Sequence, residues 1–208
     1  MTNPHELVLI MGVDGSGKST LIDNLSSRLG YTPLAPSSSP ESIEFKIDHL
    51  EEPVTIEMID RREMLFDKLN LVFEKLVGDE LTEHPVATSG SGLITAISHA
   101  AMRRIVSARD YSVADIVDEW QASDEPKPDK IVFMHAPDEV IRQRIIKRQL
   151  KGQHHEKFWG FNSPFYLAQY QNALRATVDE LSANYSTLSI NTSIMTAGEA
   201  IELFGQQP

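Results

Sequence analysis

The chain has 208 residues, with 19 Lys and Arg against 30 Asp and Glu, and its formal net charge of -11 with histidine neutral argues against a nucleic-acid partner. At 41% hydrophobic and 24% charged it is expected to fold as a single domain over residues 1–208, and the lack of cysteine removes disulfides, thiolate nucleophiles and cysteine metal ligands. No apolar run reaches the ~18 to 20 residues that cross a bilayer, and the opening MTNPHELVLIMGVDG has no basic region ahead of an apolar stretch, so a cytoplasmic protein with no membrane partner is expected.

Leu7–Met11 is continuously apolar and runs into glycine-rich sequence, after which Leu21, Ile22, Leu25 and Leu29 recur at helical spacing up to a stop at Gly30. This predicts strand, tight loop and helix. Residues 31–34 suggest a short second strand, and residues 35–40 (APSSSP) a loop. Met58, Ile59, Leu65, Phe66, Leu69, Val72, Phe73 and Leu76 recur at three and four, which predicts a long amphipathic helix over 58–76 with Arg61 and Arg62 in its first turns. Met58, Met64 and Phe66 are assigned to packing. Residues 85–88 form a weaker strand candidate, SGSG at 89–92 a loop, and Ile94, Ile97, Ala101 and Ile105 the next helix.

Ser112 with Asp115 can cap a helix bearing Val113, Ile116, Val117 and Trp120, and the polar QASDEPKPD is a linker. A buried strand follows at 131–134. Asp138 then opens a helix in which Arg144 and Arg148, four residues apart, share a face. KGQHHEKFWGFNS is expected to be an exposed lid around 149–162, with Phe158, Trp159 and Phe161 available to cover a ligand; the adjacent His154 and His155 lack the i, i+4 spacing of a helical zinc pair. Ser163 and Pro164 start another helix, residues 187–190 a last strand, and Thr196 with Glu199 a capping box. Strands alternating with helices define an α/β fold whose ligands bind beyond the carboxyl ends of its parallel strands.

The chemistry is concentrated at Gly12-Val13-Asp14-Gly15-Ser16-Gly17-Lys18-Ser19, which satisfies G-x-x-x-x-G-K-[ST] between the first strand and the first helix. Glycines let the backbone curl so that its N–H groups face a polyphosphate, and the helix amino terminus adds partial positive charge. Lys18 can reach the β and γ phosphates of ATP, Ser19 can ligate Mg2+, and Thr20 supports the loop. The bland alternative is a glycine-rich turn that binds nothing. No N-K-x-D guanine-reading segment is present.

The run GVDGSGKST followed by LIDNLSSRLG resembles the opening of thymidylate kinases and their nucleotide-kinase-like relatives, as do Asp60-Arg61, the PD at Pro128 and Asp129, and PDEVIRQRIIKR at 137–148. The resemblance implies a three-layer P-loop kinase fold with a five-stranded parallel sheet flanked by helices, and an ATP- and Mg2+-dependent reaction on a small-molecule phosphate acceptor. It also implies that Asp14 lies near the acceptor, that Arg61 contacts its monophosphate, and that Arg144 and Arg148 approach the transferring phosphates or the adenine side of the donor. Tyr170 occupies a place similar to the family's late tyrosine, but a solitary tyrosine on a helix is assigned a core role. Related kinases use a helix like 58–76 to form a homodimer; its stripe can equally face the core.

Three family features are replaced: the acid–arginine pair after the middle strand by residues 87–92 (ATSGSG), the E-P-G-type loop by residues 35–40, and a carboxylate after the VFM strand by His135. Thymidylate specificity is therefore not expected. Ser37, Ser38, Ser39, Ser89 and Ser91 could offer hydroxyls to another acceptor. The expected function is an ATP-dependent phosphotransferase acting on a nucleotide, deoxynucleoside or related small acceptor, with Lys18, Asp14, Arg144 and Arg148 carrying the transfer. The alternatives are a regulatory P-loop protein without kinase activity and an acceptor-independent ATPase.

Overall fold

The computed structural model describes residues 5–34, 44, 54–151 and 164–206. Most of the expected lid, with His154, His155, Phe158, Trp159 and Phe161, and the serines at 37–39 lie outside the described residues.

Strands β1 (Leu7–Met11), β2 (Thr32–Leu34), β3 (Val86–Thr88), β4 (Lys130–His135) and β5 (Ser186–Asn191) form one parallel sheet in the order β2-β3-β1-β4-β5. The order explains the pattern of β1. It pairs with β3 on one edge (Leu7 opposite Val86) and β4 on the other (Val8 opposite Lys130), and all five of its residues are buried. A strand covered on both faces reads as an apolar run rather than an alternation.

Successive side chains of β1 still divide between the two faces. Val8 and Ile10 pack with Leu21, Ile22 and Leu25 of α1 (Lys18–Leu29) and with Ile201 and Phe204 of α7 (Ala197–Gly205). Leu9 and Met11 pack with Leu93 and Ile97 of α3 (Gly92–Ser107), Val117 and Trp120 of α4 (Val113–Ala122), Ile141 of α5 (Asp138–Gln149) and Leu174 of α6 (Pro164–Leu181). The result is the three-layer α/β arrangement of a P-loop kinase fold. Each fully buried aliphatic side chain contributes about 1.5–3 kcal/mol.

Local signals set the helix ends. Ser91, Ser112 and Thr196 side chains accept from the N–H of Ile94, Asp115 and Glu199, and Thr196 with Glu199 completes the reciprocal box. Gly30, at φ 78°, ends α1 in the left-handed region that glycine tolerates. Asp129, from the PD sequence, takes the Leu7 N–H at 2.8 Å and so ties β4's entry to β1.

The long helix α2 (Ile56–Glu80) begins earlier than its apolar stripe because Thr55 supplies the cap, accepting from Met58 N–H at 3.2 Å. It continues past Leu76 because Val77 is buried and Gly78 is exposed, where it costs helix propensity but no packing. Its stripe divides. Met58, Ile59, Phe66 and Phe73 are buried, whereas Val72 and Leu76 are exposed together with Met64 and Leu71, so Met64 does not pack as expected. No helix among the described residues is long and apolar enough to cross a membrane.

Candidate functional site

The phosphate-loop motif lies where β1 hands over to α1. Gly12 has φ 151°, and a Cβ there would stand 2.4 Å from Met134 O and 2.5 Å from Ser16 Oγ, so the chain can pass only as glycine. Gly15, at φ 85°, packs so closely that its Cβ would lie 3.1 Å from Ile141 Cγ2 and 3.2 Å from Arg148 Nη2. Gly17, at φ 102°, is the residue before α1 and brings no capping side chain, which leaves the helix amino terminus facing the loop. Val13 and Ser16 are buried, and Ser19 and Thr20 are exposed on the first turn. Lys18 folds back across the loop, donating to Val13 O at 3.0 Å and meeting Asp14 Oδ1 at 3.5 Å. These features fit a polyphosphate with a hydrated cation: amides in a cradle that side chains cannot fill, one ammonium, and an accessible hydroxyl at Ser19.

Two of the three α5 arginines, Arg144 and Arg148, reach this loop, in different ways. Arg144 donates through Nη1 to Gly15 O (3.2 Å) and Thr192 Oγ1 (2.8 Å), and through Nη2 to Thr192 O (2.7 Å). Its fork thus joins the phosphate loop to the segment after β5. Arg148 stands one turn further along α5, half-buried, with its guanidinium against Gly15.

A crevice of about 630 Å³, partly open to solvent, extends from the loop between α2, α3 and α6, bounded by Asp14, Lys18, Arg62, Asn70, Ser89 and Tyr166 among others. Arg62, not Arg61, is the arginine of the α2 pair that enters it; Arg61 is exposed, because one residue along a helix turns the side chain by about 100°. Asp60 is likewise directed elsewhere, pairing with Arg103 of α3 at 2.6 Å. Burial lowers the Arg62 pKa, opposed by Tyr166, Tyr170 and Asp14 nearby, and its guanidinium lies 4.4 Å from the Phe66 ring centroid.

Phe66 is buried, as its place in the packing stripe predicts, and also forms crevice wall. Four residues further along, Asn70 also lines the crevice; it is 8% exposed, and its amide oxygen has no hydrogen-bond partner among the described residues. On the α6 side Tyr166 and Tyr170 stack at 5.6 Å, and the Tyr166 hydroxyl is 3.2 Å from Ser98 Oγ of α3. Burial pushes the Tyr166 phenol up to about 12 and raises that of Tyr170 as well, so both are neutral hydroxyls. Tyr170 is therefore both core and crevice. Ser89, Gly90 and Ser91 close the side next to β3, but Ser91's hydroxyl is engaged by the Ile94 N–H at 3.1 Å. His135 stacks on Phe133 at 5.4 Å and has its pKa lowered by burial and by Arg175, so it does not replace a carboxylate's charge.

Arg62, Asn70 and Tyr166 escaped sequence reasoning as site residues. A signal for the α2 residues was present: Arg62, Phe66 and Asn70 recur at i, i+4 and i+8, which places charge, ring and amide along one helical edge.

The sequence matches no protein-family model and no curated protein. Among solved structures, the fold is similar to deoxyadenosine kinase from M. mycoides with products dCMP and a flexible dCDP bound (TM-score 0.73, 15% identity, 96% of each chain covered). The same enzyme with bound dATP gives a TM-score of 0.69 at 13% identity, covering 97% of this chain and 98% of that one. Thymidylate kinase from Candida albicans gives 0.69 at 17% identity, covering 99% and 92%. The chain thus has a P-loop kinase fold, and its likeness to deoxyadenosine and thymidylate kinases is one of architecture.

Proposed function

We propose that the protein is an ATP-dependent phosphotransferase acting on a nucleotide, deoxynucleoside or closely related acceptor. The observation that carries this reading is the edge of α2 facing the crevice. Arg62, Phe66 and Asn70 lie on it at one-turn intervals, spanning about 12 Å at 1.5 Å per residue. An acceptor laid along it would meet charge near the phosphate loop, then an aromatic ring, then a buried amide oxygen in need of a donor. A nucleoside offers the matching sequence of hydroxyl or phosphate, sugar, flat ring, and ring edge bearing N–H groups. The kinship of fold with deoxyadenosine and thymidylate kinases supports the same class.

In the proposed reaction the acceptor oxygen bonds to the γ-phosphorus of ATP as the bond from that phosphorus to the β–γ bridging oxygen breaks, leaving ADP. Asp14 accepts the acceptor's hydroxyl hydrogen bond and draws off its proton. Lys18 moves from Val13 O to the donor's terminal phosphates, and the loop amides hold them. Magnesium, when bound, supplies charge neutralisation, with Ser19 as its protein ligand. Arg148 reaches the γ-phosphate, where its charge counts most in the transition state. Arg144 acts at one remove by holding the loop's shape.

The test is transfer of labelled phosphate from ATP with magnesium to a panel of nucleosides, deoxynucleosides and nucleoside monophosphates, comparing wild type with Lys18→Ala. Acceptor-dependent product that falls by about 10²–10³-fold in a folded Lys18→Ala protein supports the reading. ATP hydrolysis indifferent to every acceptor, or ATP binding without turnover, would replace it with the ATPase or regulatory alternative.

A further inference from the structure

The side of the crevice next to β3 is held from behind by a carboxylate remote in sequence. Gly90 and Ser91 have the crevice on one side and, on the other, a narrow, mostly apolar pocket lined by Phe73, Val77, Trp120 and Glu125. Glu125 belongs to the linker between α4 and β4. Both of its carboxylate oxygens stand 3.1 Å from the N–H of Gly92, the first residue of α3. A Cβ on Gly92 would lie 2.7 Å from Glu125 Oε2, so the carboxylate occupies space that any other residue would claim. Within the turn itself, Thr88 Oγ1 accepts from Gly90 N–H at 3.0 Å, and Ser91 Oγ accepts from Ile94 N–H. Glu125 is the anchor that comes from outside.

The linker is built to present it. Lys127 Nζ donates to Glu125 O at 2.7 Å and to Ser123 O at 2.9 Å, and lies 4.9 Å from the Trp120 ring centroid. The anion faces the partial positive charge of α3's amino terminus, where it is favoured.

We infer that Glu125 is a positioning residue for the acceptor side of the crevice: its carboxylate on the Gly92 N–H sets where residues 89–91 and the first turn of α3 stand relative to the phosphate loop. Ile94 and Thr95 of that turn line the crevice, so a shift of the anchor reaches the acceptor. The functional consequence rests on reading the crevice as the acceptor site, whereas the structural coupling does not. Burial pushes Glu125 up to about 7; Glu74 of α2 adds to this, while the Gly92 N–H, Lys127 and Trp120 oppose it. The anchor therefore changes charge close to neutrality.

Two measurements test this separately. In the 15N-labelled protein without ligand, the Gly92 amide resonance should move with a midpoint near pH 7, and Ser89, Gly90 and Thr95 should move with the same midpoint; Glu125→Gln should abolish all four titrations. Glu125→Ala should displace the same resonances at every pH. Titration confined to Gly92, with the crevice residues unmoved in both variants, would reduce Glu125 to a local cap and overturn the inference. Kinetically, using the best acceptor from a panel of thymidine, deoxyadenosine, deoxycytidine and thymidine monophosphate, Glu125→Ala should raise the acceptor KM about 5- to 10-fold with the ATP KM unchanged, and Glu125→Gln should restore most of it at pH 8. Equal rises in both KM values would overturn the positioning role. Should no acceptor be phosphorylated, the proposed function fails while the resonances still decide the coupling; should Glu125→Ala not fold, the wild-type titration and Glu125→Gln decide it.

Discussion

Arg144→Ala removes a fork that ties the phosphate loop to the segment after β5, and its cost can be worked from three hydrogen bonds. The guanidinium donates to Gly15 O, Thr192 Oγ1 and Thr192 O at 2.7–3.2 Å. A bond to a charged group contributes about 1.5–3 kcal/mol, but the arginine is half-buried, and water can replace part of what is lost. A net loss of about 2 kcal/mol follows, or a fall in Tm of about 4–8 °C for a domain of this size. Because the Gly15 carbonyl belongs to the cradle, ATP affinity should fall with it, by about tenfold. Arg144→Lys keeps the charge and cannot bridge three acceptors with a planar fork, so it should recover less than half of either loss. Differential scanning fluorimetry gives the Tm, and titration calorimetry with ATP and magnesium gives the affinity. Wild-type Tm with impaired transfer would refute the clamp and return Arg144 to direct contact with the transferring phosphates.

Three further outcomes follow from the same geometry. Gly12→Ala meets Met134 O, a backbone atom, at 2.4 Å, and adds strain of about 1–3 kcal/mol for a side chain at that φ; ATP binding by calorimetry should be lost, and a variant binding normally would show that the loop tolerates a Cβ. Arg62→Ala should raise the KM of a monophosphate acceptor by about 10- to 150-fold, from the loss of about 1.5–3 kcal/mol of charged hydrogen bonding, while Arg61→Ala changes it less than twofold; the reverse ranking in steady-state kinetics would refute the phase assigned to α2. For Glu125 the pKa is raised from 4.5 to about 7 on folding, so the folded chain binds this proton more tightly and stability falls as pH rises through that window. The effect is at most about 3 kcal/mol, reduced by the water reaching a half-buried group, and denaturant melts at pH 5 and 8 should show a pH dependence flatter in Glu125→Gln than in wild type.

The parts of this protein that could be read from its sequence are those whose physics is local. A strand covered on both faces must be continuously apolar, so Leu7–Met11 is evident without its neighbours. The loop motif states its own geometry, since Gly12, Gly15 and Gly17 all take positive φ. Thr196 and Glu199 need only each other. On α2 the apolar stripe shows which residues can be buried but not what they are buried against. Phe66 belongs both to the stripe and to the crevice, while Val72 and Leu76 fit the same period and face outward. Arg61 and Arg62 are equivalent to any rule based on composition, and only the rotation of the packed helix separates them.

Distance along the chain sets a harder limit, and it falls on the acceptor side in particular. The donor cradle is one contiguous run, whereas the crevice is assembled from β1's loop, α2, α3 and α6, so no segment of it carries a pattern of its own. Glu125 is the extreme case: it lies 33 residues from Gly92, in a polar, proline-containing stretch whose composition describes a linker equally well. The consequence can be weighed energetically. Leaving the Gly92 N–H without its acceptor costs about 1–3 kcal/mol if it stays buried, so the turn would move to expose that amide instead. It would carry Gly90 and Ser91 with it, since the Gly90 N–H is bound to Thr88 and the Ser91 hydroxyl to the Ile94 N–H of α3. On the proposed coupling the Glu125–Gly92 bond and the acceptor side of the crevice move together, so residues outside the phosphate-loop motif are expected to influence acceptor binding.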